Sequence, residues 1–347
     1  MKTNASLLRQ LAAIAAASAL TLTGARAQVT ATTDPVGFIT LNVYGGSAAT
    51  PRLSLVSPTL TQPVTWQGVI TGVSGNTISV SGTPWTVGQF NSAFYVELIS
   101  VATPAISGTL SDITGTPTTS SITTAQATGA AIGDTIKIRP DVTIANLFGA
   151  TNSAGLQSSA GDASTADEVL IYSGANSISY FYYTGPGLPA GWYRSDTFSD
   201  GSQVTIAPSE AVVIKRKAAG DVPIVFNGAV KTGNTLIPIV SGLNVLGTAS
   251  AKGLTLANSG LYTGNPATGV KDSAGDSSTA DEIILYTATG QKSYFYYTGP
   301  GLPAGWYQSD TFGDASTIPI APGTAFVLNR KNGAAAFNWV LPSPASF

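Results

Sequence analysis

The chain has 347 residues, 16 basic and 18 acidic, with a formal charge of −2 and neither cysteine nor histidine. The two missing residue types exclude disulfides, thiolate or imidazole catalysis, and metal centres ligated by Cys or His. A charge-poor, mildly acidic surface argues against a nucleic-acid partner, whose backbone demands clustered Lys and Arg.

The first residues have the layout of an export signal. Lys2 and Arg9 accompany an apolar run from Leu11 to Leu22, and Ala25-Arg26-Ala27 places small residues before a cleavage point. The run is shorter than the roughly 20 residues of a membrane span. We therefore expect a signal peptide over 1–27, a mature chain from Gln28 without a transmembrane segment, and a periplasmic, extracellular or cell-surface location. Loss of Lys2, Arg9 and Arg26 makes the mature chain more acidic still.

Beyond the leader, Gly, Ser, Thr, Val, Ile and Tyr are abundant while Glu, Lys, Met and Arg, the usual fillers of exposed helix, are scarce, which predicts an all-β fold. Apolar runs bounded by Gly, Pro and Asp read as strands. Between residues 61 and 140 they fall at Trp66–Thr71, Thr77–Ser81, Phe94–Ser100, Ile106–Leu110, Ser121–Thr124 and Asp134–Arg139. A short helical turn is expected around Thr143–Phe148, and another around Thr255–Leu261.

The chain then repeats itself at an offset of 114 residues, Trp192 recurring as Trp306. Ala160–Tyr172 matches Ala274–Tyr286, and Tyr180–Tyr193 recurs unchanged as Tyr294–Tyr307. Upstream, Gly242-Leu-Asn-Val-Leu-Gly247 finds its counterpart in Thr40-Leu-Asn-Val-Tyr-Gly45. This predicts two homologous β-sandwich or small-barrel modules, the first discontinuous over 34–60 and 141–230, the second over 231–347. A small β-domain over 61–140 is inserted in the first, since insertion at a surface loop costs little; three domains in a row are the alternative.

Three constellations bear on chemistry. The acidic loops carry Asp162, Asp167 and Glu168 in one copy and Asp276, Asp281 and Glu282 in the other. Such oxygens suit calcium, the one alternative to the expected chain without cofactors. The other reading is a polar turn in which Ser and Asp side chains bond the local backbone. The aromatic hairpins carry Tyr182, Trp192 and Tyr193, then Tyr296, Trp306 and Tyr307. If exposed, their faces stack on sugars and make a glycan or another cell-envelope component the partner; if not, they fill the core and brace the Gly/Pro-rich loop. Finally, Asp196, Asp200, Asp310 and Asp314 offer carboxylates for a glycosidase-like pair. Lys215-Arg216-Lys217 reads as a solvated strand end.

Asp34-Pro-Val-Gly37, Trp66-Gln-Gly68, Gly133–Pro140 running into Thr143–Phe148, Ala166-Asp-Glu168 and the Tyr182-Tyr183…Gly191-Trp192 pair occur in a distinctive order. In that order the chain resembles a poorly characterised family of secreted bacterial β-rich proteins with a duplicated module. The resemblance implies export and the repeat layout, and implies no catalytic residue. The function expected is a secreted or cell-surface structural and interaction protein. A carbohydrate-binding protein and a carboxylate-based glycan-active enzyme are the alternatives.

Overall fold

The structure is a computed structural model that describes residues 34–173, 176–331 and 333–342; the expected signal peptide lies outside the described residues. The fold is all-β. One five-residue helix, Ile144–Phe148, and two 3-10 turns interrupt the described strands. The helix opens on a reciprocal cap between Thr143 and Asn146, and the turn Leu256–Asn258 opens on the same arrangement between Thr255 and Asn258.

Two five-stranded antiparallel sheets dominate. The first runs in the order Gly191–Arg194, Asn176–Tyr183, Glu168–Ser173, Val212–Arg216, Arg52–Val56. The second runs Gly305–Gln308, Gly290–Tyr297, Glu282–Thr287, Phe326–Arg330, Gly242–Leu246. The registers correspond. Tyr182 lies opposite Trp192 as Tyr296 lies opposite Trp306, and Val169 opposite Ile214 as Ile283 lies opposite Leu328. Alternation places every second side chain inward. Phe326, Leu328 and Arg330 are buried, while Val327 and Asn329 between them are partly exposed.

Each sheet packs its inner face against a two-stranded ribbon. Val36–Val43 pairs with Val222–Ala229 on the first, and Thr235–Ile239 with Phe337–Leu341 on the second. Trp192, Phe148, Ile214 and Phe226 fill the first core; Trp306, Phe326 and Trp339 fill the second.

One expected equivalence is corrected. The counterpart of Gly242–Leu246 in the first sheet is Arg52–Val56, because Val56 pairs with Val212 as Leu246 pairs with Phe326. Thr40–Val43 belongs instead to the ribbon. A short Leu-Asn-Val string satisfies any half-buried strand and carries no register information.

Residues 66–140 hold a closed six-stranded barrel: Trp66–Ser74, Thr77–Val80, Ser121–Thr124, Leu110–Thr114, Phe94–Ile99 and Thr135–Pro140 in spatial order. Closure leaves no open sheet edge. Trp85, Phe90, Leu98 and Ile136 occupy its interior. The strand expected at Ile106–Leu110 starts only at Leu110. Pro104 begins a 3-10 turn, and Gly108 at φ 96° has its Cα so close to the Asn234 carbonyl that a Cβ would meet that oxygen at 2.2 Å. A buried ion cluster ties the barrel to its surroundings. Arg139 contacts Asp34 and Glu97, and Glu97 also takes Lys231 at 2.8 Å. Among the described residues no helix is long and apolar enough to cross a bilayer.

Candidate functional site

The acidic loops do not assemble as ion-binding sites. Asp167 and Asp281 are 1% and 0% exposed, and their oxygens are already engaged. Asp167 Oδ2 accepts from Arg216 Nη1 at 2.6 Å and from the Gln157 backbone at 2.7 Å; Oδ1 accepts from the Lys217 backbone at 2.6 Å. Asp281 repeats this set with Arg330 Nη1 at 2.6 Å and the backbones of Lys271 and Lys331 at 2.8 Å each. Glu168 holds Lys217 at 2.6 Å and Lys215 at 3.1 Å, and Glu282 holds Lys331 at 3.2 Å. Burial alone would raise the Glu168 carboxyl; hydrogen bonds from Lys217, Ser179 and Lys215 outweigh it and hold the group below the usual carboxylate range. Asp162 and Asp276 are exposed and accept from the backbones of Ser164 and Ser278, each at 2.9 Å. Among the described residues no three acidic side chains converge as a metal site would require.

The basic run therefore has a different role from the solvated strand end expected of it. Arg216 and Lys217 are buried, and they are the counter-ions of the acidic loop. A signal existed for this. Lys215-Arg216-Lys217 recurs as Asn329-Arg-Lys331 at the same spacing as the acids. Asp196, Asp200, Asp310 and Asp314 are spread over local contacts. Asp196 pairs with Arg194 at 2.7 Å, and Asp310 accepts from Gln308 at 2.6 Å. Asp200 and Asp314 each accept from a serine backbone two residues on.

The aromatic hairpins are core and brace, and the stacking-platform expectation is corrected. Trp192 and Trp306 are 1% and 2% exposed. Trp192 donates its indole N–H to Gly149 O at 2.8 Å and meets Tyr182 edge to face at 5.3 Å. Tyr296 has one ring face covered by Tyr262, with centroids 3.4 Å apart. The hydroxyls of Tyr193 and Tyr307 donate to Pro189 O and Pro303 O at 3.0 and 2.9 Å. Those of Tyr183 and Tyr297 donate to Pro186 O and Pro300 O at 2.5 and 2.7 Å. The physical reason is that the strand is covered twice. Its inner face meets the module core, and its outer face meets the loop folded back over it.

What the two sheets do build is a cleft between them. Their outer faces pack together around Leu55, Ala211, Val213 and Ala325. The backbone contacts are reciprocal. Val56 bridges Thr324 while its counterpart Leu246 bridges Glu210. Ser57 N donates to Gly323 O at 3.0 Å while Gly247 N donates to Ser209 O at 2.9 Å. Equivalent surfaces meeting this way form an isologous contact, the kind found in symmetric dimers. Beside the closed part lies a cleft of about 560 Å³. Both sheets line it with matched residues: Leu53 and Leu243, Leu55 and Val245, Tyr172 and Tyr286. Burial first, and then the neighbouring Tyr172, push the Tyr286 hydroxyl above its ordinary pKa. None of these residues was singled out by sequence, since strand alternation shows which side chains share a face and not what that face meets. No family model, curated protein or solved structure matches the chain.

Proposed function

We propose that this chain is an exported structural and interaction protein, made of two copies of one β-module around an inserted barrel, that works by binding or display and without catalysis. The layout proposed is 34–60 plus 141–230, 61–140 and 231–347. The observation that carries the reading is where the repeated polar and aromatic groups go. In both copies the buried Asp pairs with an Arg, and the tyrosine hydroxyls hold the loop carbonyls. These groups hold the architecture and leave the surface as the working part. Matching sheet orders and registers support duplication. The leader's composition and the resemblance in segment order support export.

Fractionation of expressing cells, with the N-terminus read by mass spectrometry, tests the reading. The expected result is a processed chain starting at Gln28 outside the cytoplasm. An unprocessed cytoplasmic chain contradicts export. Turnover of a polysaccharide that is lost in Asp196→Asn or Asp310→Asn contradicts the non-catalytic half.

A further inference from the structure

We propose that the cleft between the two sheets is a binding site for one small, neutral, largely hydrocarbon molecule carrying a hydroxyl or carbonyl oxygen. This goes beyond the structural role above, which the chain would retain with the cleft empty. Three observations converge. The first is size: about 560 Å³ lies well inside the range of small-molecule pockets, roughly 300–1,000 Å³. The second is lining. Apart from Ser241 and the two tyrosine hydroxyls the side chains are aliphatic or aromatic, and among the described residues no charged side chain lines the cleft. A carboxylate, phosphate or ammonium group would lose its water without gaining a counter-ion, so the occupant is neutral. The third is the pair of hydroxyls. Neither the Tyr172 nor the Tyr286 hydroxyl makes a hydrogen bond to a described residue, and Tyr172 is 36% exposed, whereas the hydroxyls of Tyr183, Tyr193, Tyr297 and Tyr307 all donate to loop carbonyls. Unused phenol groups in an otherwise apolar wall are what fixes the orientation of an apolar ligand that carries one polar atom.

The mouth of the cleft has the exposed apolar character of an entrance. Leu243 is 65% exposed and Val240 is 55% exposed, although both belong to the apolar lining. Isolated exposed apolar residues are ordinary; a group of them on the rim of an apolar cavity marks an interaction site. The matched origin of the walls adds a constraint. Leu53 faces the cleft from one sheet and its counterpart Leu243 from the other, and Tyr172 and Tyr286 do the same, so the occupant meets similar chemistry on two sides. An elongated or flat molecule gripped between two walls fits this better than a branched polar one.

The experiment is a fluorescence titration of the full mature chain with Nile red, a neutral dye with a carbonyl acceptor. The expected result is a saturable, blue-shifted signal with one dye per chain, displaced by 1-decanol and at least tenfold less effectively by decanoate. Leu243→Arg alters an exposed position, so folding is retained, and it should weaken dye binding at least tenfold. The double substitution Tyr172→Phe and Tyr286→Phe keeps both rings and removes both hydroxyls, and should weaken the dye about three- to tenfold. A signal that never saturates, or that Leu243→Arg leaves unchanged, overturns the proposal. So does equal displacement by decanol and decanoate. A chain dimer in sedimentation that Leu243→Arg dissolves also overturns it, because a second copy would then be the occupant of this face.

Discussion

Asp281 shows why chemically suggestive residues have a structural role here. A carboxylate that is fully buried beside Arg330 is held by a charge and two backbone donors, and presents no exposed oxygen to a ligand. Removing one member of a buried pair leaves the other charge stranded, at a cost of about 3–5 kcal/mol. Urea denaturation of Asp281→Asn should show a loss of that order. Asp276→Asn, in the exposed part of the same loop, should stay within about 0.5 kcal/mol. A midpoint that moved equally in both variants, or that fell on adding EDTA, would mean the loop works as one ion site. The acids were legible in sequence as a pattern, and Lys215-Arg216-Lys217 as a basic run read as a solvated strand end. The pairing was not, because spacing along the chain does not say which strand end folds back over which loop.

The hairpin and its loop make the same point for an element. Tyr294-Phe-Tyr-Tyr297 followed by a Gly/Pro-rich stretch is readable as strand and loop, and both are present. The side the rings face was unreadable, because alternation separates the two faces without saying that both are covered. The loop is seated by close backbone approach. A Cβ on Gly299 would meet Ala274 O at 2.1 Å, and one on Gly185 would meet Ala160 O at 2.0 Å. Backbone atoms cannot move aside as a flexible side chain does, so Gly299→Ala must lift the loop. Hydrogen–deuterium exchange should then show faster labelling at Ser273, Thr298 and the loop that follows, since Thr298 N donates to Ser273 O at 2.9 Å in the intact chain. Gly313→Ala serves as the control. Its added Cβ would lie 3.4 Å from a threonine side-chain oxygen, an ordinary contact, and exchange in 298–304 should not change.

Across the whole molecule, three units meet near Asp141. This residue follows the last barrel strand, Thr135–Pro140, and its backbone N–H donates to Ala93 O at 2.9 Å. It is 5% exposed, and its Oδ1 has no hydrogen-bond partner. Two carboxylates act on it from different units. Asp112 belongs to a barrel strand, and Glu210 belongs to the segment that bridges Leu246 of the second sheet. Burial first, then Asp112 and Glu210, push the Asp141 carboxyl up to about 8. An unfolded aspartate titrates near 4, so the folded chain holds this proton more tightly than the unfolded chain does. The linkage then has one sign. The contribution of the protonated group is complete below about pH 4, shrinks as pH rises, and is lost through about pH 8. Asparagine has the shape of the neutral acid and cannot ionise. Melting curves of the two chains should therefore diverge with rising pH, the native chain losing more than Asp141→Asn between pH 5.5 and 9. The separation should be widest on the alkaline side of pH 8, where an ionised Asp141 would face two other carboxylates at the junction of the barrel and the sheets. Parallel curves over that interval would show that the Asp141 proton is not coupled to folding.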